Sequence, residues 1–313
     1  MVSSELRKRL VKQQYGFTGE HSAVKICNWT KRSLKDDGVC YKEKFYGIES
    51  HRCCQITPTV GFCQNKCIFC WREMDLNEST GEVKESETIK KLDEPEDIIK
   101  ESIKQHRKLL TGFGGNDKVN MKKFKEAQNP NQFAISLTGE PTLYPKLNEL
   151  IRLLKEKGNS VFVVSNGLEP EKIRNIEPPT QLYISLDAPT KDLFFQIDKT
   201  IIKNGWDKLM KSLDYLAEKK EKTAIRITLI KGMNMVCPEK YASLITKASP
   251  TYVEVKAYMH VGSSRERLER ENMPSHKEVK EFAKKIIDSF QADVKYKLEN
   301  EQEESYVVLL KKI

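Results

Sequence analysis

The chain has 313 residues, of which 38% are hydrophobic, and its 54 Lys and Arg residues against 45 Asp and Glu residues give a formal net charge of +9. This composition supports a sizeable core and excludes wholesale disorder, and no apolar stretch approaches the roughly 18 residues of a membrane-spanning helix. The amino-terminal residues lack the apolar segment of a signal peptide, so we expect a cytoplasmic chain with reduced thiols. Eight reduced cysteines indicate metal binding or catalysis rather than disulfides.

Short apolar runs alternate with helical periodicity, and this alternation predicts βα units that build a parallel sheet. The predicted strands cover 52–60, 133–139, 161–167, 181–189, 223–232 and 252–262, with two closing strands at 293–298 and 306–312. The predicted helices begin near residue 95 or cover 144–158, 206–220, 238–248 and 274–290, the last capped by Ser275. Residues 72–97 resemble an acidic insertion.

Six such units are too few for a closed eight-stranded barrel. We therefore predict an α/β fold, a partial (β/α)6 TIM-like barrel over residues 52–313, with residues 1–51 as an amino-terminal extension. A cysteine motif follows the first strand, and the sequences TGEP, SNG and SLDAP follow or end the next three. The carboxyl ends of the strands are where such barrels carry their chemistry, so we expect the active site there.

Charge is unevenly distributed along the chain. Residues 1–35 carry eight Lys and Arg against two acids, and residues 103–127 carry seven against two, whereas residues 73–97 carry ten acids and three lysines. Each run taken alone fits a solvated face equally well, but two basic runs that flank a cysteine cluster favour a polyanionic partner. The predicted phosphate contacts are Lys118, Lys122, Lys123 and Lys125.

Three cysteines, Cys63, Cys67 and Cys70, stand at C-x3-C-x2-C spacing. A structural zinc site uses four ligands, usually in C-x2-C pairs, so this trio is one ligand short of zinc. A [4Fe–4S] cluster also takes thiolate ligands, and three thiolates leave one of its irons open. The spacing therefore favours a cluster whose open iron binds substrate.

This motif, with Phe69 before its last cysteine, resembles the signature of the radical S-adenosylmethionine (SAM) superfamily, and Gly139-Glu140 resembles that family's G-G-E motif with Thr138 replacing the first glycine. The resemblance implies a barrel of the radical SAM type, in which the open iron chelates SAM and an electron cleaves it to a 5′-deoxyadenosyl radical. It also implies that Gly139 and Glu140 hold the SAM amino group. The implied contacts to the SAM ribose and carboxylate are Ser165, Asn166 and Ser185.

A second trio precedes the motif, because Cys27, Cys40 and Cys53 are spaced as C-x12-C-x12-C. The alternative is three unrelated buried thiols, but three cysteines so near a cluster motif predict a second [4Fe–4S] cluster, again one ligand short. Cys54 and Cys53 point to opposite faces of an extended strand, so only one of them can join it, and the even spacing favours Cys53. Cys237 has no partner in the sequence and is expected to be structural.

Four longer stretches, at 112–119, 126–145, 229–235 and 254–268, resemble the tRNA 4-demethylwyosine synthases. The resemblance covers nearly the whole chain and includes both cysteine trios. It implies condensation of N1-methylguanosine 37 of tRNA(Phe) with pyruvate to form 4-demethylwyosine. The chain is too short for the added flavodoxin-like domain of the eukaryotic form, so it resembles the archaeal single-domain form, and we expect a monomer that takes its electron from an external donor.

Lys42 lies two residues after Cys40, and the resembling family carries a lysine there for which a Schiff base with pyruvate has been proposed. A Schiff base needs a neutral amine, which burial or a neighbouring positive charge favours by lowering the pKa. In an extended segment, residues 40 and 42 also face the same side. The alternatives are an ordinary surface lysine, or pyruvate chelating the open iron directly.

Two other functions remain open at this point. A radical SAM activase would form a glycyl radical on a partner protein, and it would need neither the second trio nor the basic loop at 111–125. A non-enzymatic zinc-binding RNA protein would use the six cysteines structurally.

Overall fold

The computed structural model describes residues 2–73, 89, 91–292 and 294–313. Its helices are α1 Ser4–Lys12, α2 Asn28–Ser33, α3 Tyr41–Tyr46, α4 Pro95–Leu110, α5 Met121–Ala127, α6 Leu147–Glu156, α7 Pro170–Arg174, α8 Lys191–Ile197, α9 Gly205–Ala217, α10 Pro238–Ala248 and α11 His276–Asp288. Its strands are β1 Gly16–Phe17, β2 Ala23–Lys25, β3 Cys53–Thr57, β4 Gln132–Ile135, β5 Ser160–Ser165, β6 Gln181–Ser185, β7 Lys222–Leu229, β8 Tyr252–Ala257, β9 Tyr296–Gln302 and β10 Val307–Lys312.

The chain divides into two compact units, and the first contains residues 2–63, 91–164 and 176–180. In this unit β3 pairs in parallel with β4, and β4 with β5, while β2 runs antiparallel to β3 and β1 antiparallel to β2. Helix α4 packs against β1, β2 and β3 and against α6. The amino-terminal residues 16–25 therefore belong to the same sheet as the first strand of the βα units, a pairing that the sequence did not predict.

The second unit contains residues 64–73, 165–175, 181–292 and 294–313. Here β6 pairs in parallel with β7, and β7 with β8, whereas β10 runs antiparallel to both β8 and β9. Helices α9, α10 and α11 pack in succession, and α11 also lies against β8 and β10. Along the chain, β3 to β8 form six strands that each precede a helix, as the alternation predicted.

Local sequence signals agree well with the helices observed. The four apolar residues at helical spacing in α6, Leu147, Leu150, Ile151 and Leu154, are all buried. Ser275 caps α11 through a reciprocal capping box with Glu278, in which each side chain accepts a hydrogen bond from the other residue's main chain. Both features depend on residues within one or two turns, which is why sequence alone locates them.

Some predictions concern residues that the structure does not test. Residues 74–88 and 90, most of the acidic insertion predicted at 72–97, lie outside the described residues, as does Asp293, the first residue of a predicted closing strand. The boundary between an extension at 1–51 and a barrel at 52–313 remains a prediction. Among the helices in the described ranges, none has both the length and the apolar character needed to cross a membrane.

Candidate active site

The first unit brings the thiols of Cys27, Cys40 and Cys53 together. Cys27 and Cys40 are the residues that cap the amino termini of two short helices, α2 and α3 respectively, and Cys53 is the first residue of β3. The Cys27 sulfur accepts a hydrogen bond from the main-chain N–H of Thr30 at 3.3 Å. Three separate elements of one compact unit thus supply one thiol each.

Cys53 interacts electrostatically with the other two thiols. The pKa of the Cys53 thiol is raised, first by burial and then by the negative charges that Cys27 and Cys40 carry when ionised. The Lys42 ammonium and a hydrogen bond to Gln132 act in the opposite direction. Three thiols that repel one another as thiolates, with a cation beside them, fit a cluster whose irons supply the compensating positive charge. The donor set therefore suits a [4Fe–4S] cluster.

The neighbouring Cys54 lies on the other face of β3. Its side chain is 0% exposed within the core, and burial is the main cause of its raised pKa. The alternation of side chains along a strand thus separates the two cysteines as expected. Cys53 is the one that faces Cys27 and Cys40, and its role as a ligand remains a prediction.

Lys42 is buried rather than a surface lysine, because its side chain is only 8% exposed. Its Nζ lies 4.6 Å from the centroid of the Phe162 ring. The expected extended geometry of residues 40–42 is wrong, since Lys42 lies in the first turn of α3 and Cys40 caps that helix. The amine is therefore placed beside the thiols by a helical turn that follows directly on the cysteine.

The second trio is divided between the units: Cys63 ends a segment of the first, and Cys67 and Cys70 belong to the second. Within the second unit, residues 64–71, here called the cysteine loop, follow the backbone of residues 197–201, with Ile68 N–H donating to the Ile197 carbonyl at 2.9 Å. The Cys67 thiol donates to Asp198 Oδ1 at 3.3 Å. Burial, and then the charge of Asp187, raise the pKa of the Asp198 carboxyl. Sequence reasoning missed Asp198, which no spacing signal marks.

The loop that carries Gly139 and Glu140 packs tightly in the first unit. Gly139 has φ +71°, and a Cβ atom there would lie 1.8 Å from the carbonyl oxygen of Thr59. The Glu140 N–H donates to the Phe62 carbonyl at 2.7 Å, and Glu140 Oε1 accepts hydrogen bonds from the N–H and hydroxyl of Thr142. Glu140 therefore caps the 3-10 turn at Pro141–Leu143, and its contact with SAM remains a prediction.

We expect Gly139→Ala to lower the free energy of unfolding by more than about 2 kcal/mol, because both a left-handed φ and a backbone clash oppose the new methyl group. Gly158→Ala is the matched control: it has φ +76° and nothing within 4 Å of the added Cβ, so it should cost only about 1 kcal/mol. Urea unfolding of the two variants measures the difference. Equal destabilisation would contradict the close approach to Thr59.

Two of the predicted SAM-contacting residues of the second unit, Ser165 and Asn166, lie at the end of β5 and in the turn after it. Ser165 Oγ accepts a hydrogen bond from the Gly167 N–H at 3.0 Å, and Asn166 Nδ2 donates to Gln64 Oε1 at 3.2 Å. Gln64 belongs to the cysteine loop, so this amide pair joins the turn to that loop. Ser185 ends β6 and pairs across the sheet with Arg226, whose guanidinium bonds the fully buried Glu254 at 2.8 Å.

The two basic runs of the sequence meet in the first unit. The Asn120 N–H donates to the Leu34 carbonyl at 2.8 Å, and Lys35 lies over the Phe113 ring at 5.8 Å. Lys118, Lys122 and Lys125 are exposed. Lys123 differs, because its Nζ forms an ion pair with Asp36 at 2.7 Å. Three of the four predicted lysines are thus exposed, and the segment that carries them contacts the residues that follow α2.

Successive parts of the chain match two known protein families. Residues 57–245 match the Radical SAM superfamily and residues 247–312 match the Wyosine base formation family. The tRNA 4-demethylwyosine synthase of Pyrococcus abyssi is 45% identical over 99% of this chain and 89% of its own length. The chain belongs to the tRNA 4-demethylwyosine synthase family. The human synthase, TYW1, is 40% identical over 99% of this chain and 41% of its own length.

Solved structures agree with this membership. A structure of TYW1 with a lysine–pyruvate adduct bound superposes with a TM-score of 0.87 at 42% identity, over 99% of this chain and 96% of that one. A structure of archaeal TYW1 gives 0.79 at 38% identity, with the same coverage. As a 4-demethylwyosine synthase family member, the chain is a radical SAM enzyme that acts on tRNA. The predicted fold class, cofactor chemistry of SAM with [4Fe–4S], and pathway of wyosine biosynthesis are confirmed.

Proposed function

We propose that this chain condenses N1-methylguanosine 37 of tRNA(Phe) with pyruvate, and that its two cysteine trios and Lys42 divide the work. The observation that carries this proposal is the grouping of Cys27, Cys40, Cys53 and Lys42 in one unit. A radical SAM activase would not need a second thiol trio with a buried lysine beside it. An enzyme with a keto-acid substrate would use the lysine, because its amine can capture the substrate's carbonyl carbon.

Cys63, Cys67 and Cys70 are the proposed ligands of the SAM-binding cluster. When bound there, the cluster and SAM supply a 5′-deoxyadenosyl radical that removes hydrogen from the N1-methyl group of the guanine. By the family resemblance, Gly139 and Glu140 hold the SAM amino group, while the ribose and carboxylate are held by Ser165, Asn166 and Ser185. The contact of Asn166 with Gln64 keeps its turn against the cysteine loop, which supports this assignment.

Cys27, Cys40 and Cys53 are the proposed ligands of a second cluster. The Lys42 amine condenses with the keto carbon of pyruvate with loss of water, and so holds pyruvate facing the methyl-derived radical. Burial of the Lys42 side chain favours the neutral amine that this requires. A similar structure contains a lysine–pyruvate adduct, which is further support. Direct chelation of pyruvate by the second cluster is the competing arrangement.

The exposed lysines of residues 118–125 are the proposed contacts to the anticodon-loop phosphates. A single-stranded loop allows the target base to be splayed out at modest cost, provided that the flanking backbone is held. We further propose that the enzyme acts in the cytoplasm as a monomer and takes its electron from an external donor.

We expect neutralisation of Lys118, Lys122, Lys123 and Lys125 to weaken tRNA binding and to flatten its salt dependence, by roughly 0.7 in log–log slope for each lysine that touches a phosphate. Lys123 should contribute least, because Asp36 already pairs with it. Neutralising four lysines of α11, Lys277, Lys280, Lys284 and Lys285, makes the same change in net charge elsewhere and is the control. Filter binding across a salt series measures both. A wild-type slope in the first variant would move the tRNA contacts to another surface.

One experiment tests the function as a whole. The anaerobically reconstituted enzyme is incubated with SAM, pyruvate, dithionite and tRNA(Phe) carrying N1-methylguanosine 37, and the nucleosides are analysed by mass spectrometry. The expected product is 4-demethylwyosine, formed only when pyruvate is present. SAM cleavage without a tricyclic nucleoside would favour the activase, and a protein that retains zinc but neither iron nor sulfide would favour the RNA-binding alternative.

A further inference from the structure

Residues 262–268, a loop from the carboxyl-terminal part of the chain, form hydrogen bonds to the backbone of the cysteine loop. The Arg267 guanidinium donates from Nε to the Ile68 carbonyl at 3.1 Å and from Nη2 to the Cys70 carbonyl at 2.5 Å. Close by, the Ser263 N–H donates to the Trp71 carbonyl at 3.1 Å. Three carbonyls within four residues are thus satisfied by one distant segment.

The approach of this segment is too close for most residues. Gly262 has φ +60°, and a Cβ atom there would lie 2.1 Å from the Trp71 carbonyl oxygen. Leu268, which follows Arg267, packs with Ile68 in a buried cluster that also contains Ile197, Ile230 and Tyr258. The contact between the two segments therefore has both polar and apolar parts. Among the contacts named here, all between described residues, Arg267 is the only charged side chain.

We propose that Arg267 is a positioning residue that fixes the turn carrying Cys67 and Cys70 and places a permanent positive charge beside the SAM-binding cluster. A planar guanidinium bridges two carbonyls in a fixed geometry, which a lysine ammonium cannot reproduce. The charge favours the reduced, more negative state of the cluster, since net charge and hydrogen bonding set the potential of such centres. This inference rests on the proposed assignment of Cys63, Cys67 and Cys70 as ligands.

The location of Arg267 adds a specific consequence. Residue 267 lies in the region that matches the Wyosine base formation family, whereas the cysteine loop lies in the region that matches the Radical SAM superfamily. The wyosine-specific part of the chain therefore takes part in holding the SAM-binding cysteines, in addition to any role toward tRNA.

Arg265 provides a matched control on the same turn. It is exposed, and its guanidinium donates to the His260 carbonyl at 3.1 Å rather than to the cysteine loop. Arg265→Gln and Arg267→Gln therefore remove the same charge from sites two residues apart. Arg267→Lys keeps the charge and removes the bridge, which separates the two effects attributed to Arg267.

The test measures two properties of the reconstituted full-length enzyme. The first is the rate at which a chelator removes iron, and the second is the midpoint potential of the cluster whose electron paramagnetic resonance signal responds to SAM. In Arg267→Gln we expect iron loss about tenfold faster, since this variant lacks the hydrogen bonds from a charged donor, and a more negative potential. Arg267→Lys should lose iron faster at a near wild-type potential. Arg265→Gln should match wild type in both.

Arg267→Gln that behaves as Arg265→Gln in both measurements overturns the inference. If Arg267→Gln does not fold, Arg267→Lys decides alone: faster iron loss supports the positioning role, and a wild-type rate overturns it. A wild-type enzyme without a SAM-responsive cluster overturns the ligand assignment, and the role of Arg267 falls with it. A normal wild-type cluster with unaffected Arg267 variants overturns only the inference.

Discussion

Replacement of Cys63, Cys67 and Cys70 with alanine is expected to remove about half of the bound iron and to abolish SAM cleavage. Two four-iron clusters predict about eight irons in the fully reconstituted wild type, so each trio accounts for about four. SAM cleavage disappears because this trio supplies the cluster that chelates SAM. Iron and sulfide analysis, together with chromatography of 5′-deoxyadenosine, measures both effects.

Alanine at Cys27, Cys40 and Cys53 should remove the other half of the iron and leave SAM cleavage intact, uncoupled from formation of the tricyclic base. The sharpest control is Cys54→Ala, one residue from Cys53, whose side chain points into the core. That variant should keep the full iron content, although it loses some stability. A wild-type enzyme that stays near four irons after complete reconstitution would remove the second cluster from the proposal.

Lys42→Ala is expected to lower the rate of product formation by at least about a hundredfold, because the enzyme loses the covalent hold that positions pyruvate. Lys42→Arg should be equally impaired, since an arginine keeps the charge but forms no imine. Cyanoborohydride with labelled pyruvate should reduce the imine and leave a stable adduct. Peptide mapping by mass spectrometry should locate that adduct at Lys42.

Lys44 is the control for this experiment, because it lies on the same helix and is exposed. Lys44→Ala should form both adduct and product at the wild-type rate. The Schiff base is ruled out if no adduct forms and Lys42→Ala still makes product at a near wild-type rate. That result would favour direct chelation of pyruvate by the second cluster.

The sequence alone indicated the chemistry of the C-x3-C-x2-C motif and located the strands and the longer helices of the βα units. C-x3-C-x2-C spacing is a local property of a single loop, and the three thiols of that loop are one ligand short of a structural zinc site. The buried face of α6 and the capping box of α11 depend on residues three or four positions apart. Such short-range patterns can be recognised in the sequence because the interactions that produce them form within one or two helical turns.

Other features were decided by the tertiary structure. Alternation along β3 predicts that Cys53 and Cys54 face opposite ways, but only packing against the core determines which one faces Cys27 and Cys40. The burial of Lys42 depends on Phe162, and the ion pair of Lys123 depends on Asp36, both distant in the chain. A basic residue in a sequence therefore gives no indication of whether its charge is free for RNA.

Arg267 is the extreme case. It bonds the Ile68 carbonyl across 199 residues of sequence, and neither its spacing nor its neighbours in the "GSSRERL" stretch mark it apart from Arg265. Its partners are main-chain carbonyls, which every residue carries, so no complementary residue type points to the contact. Only the close approach of residue 262 to residue 71, which the folded chain imposes, brings this guanidinium to the cysteine loop.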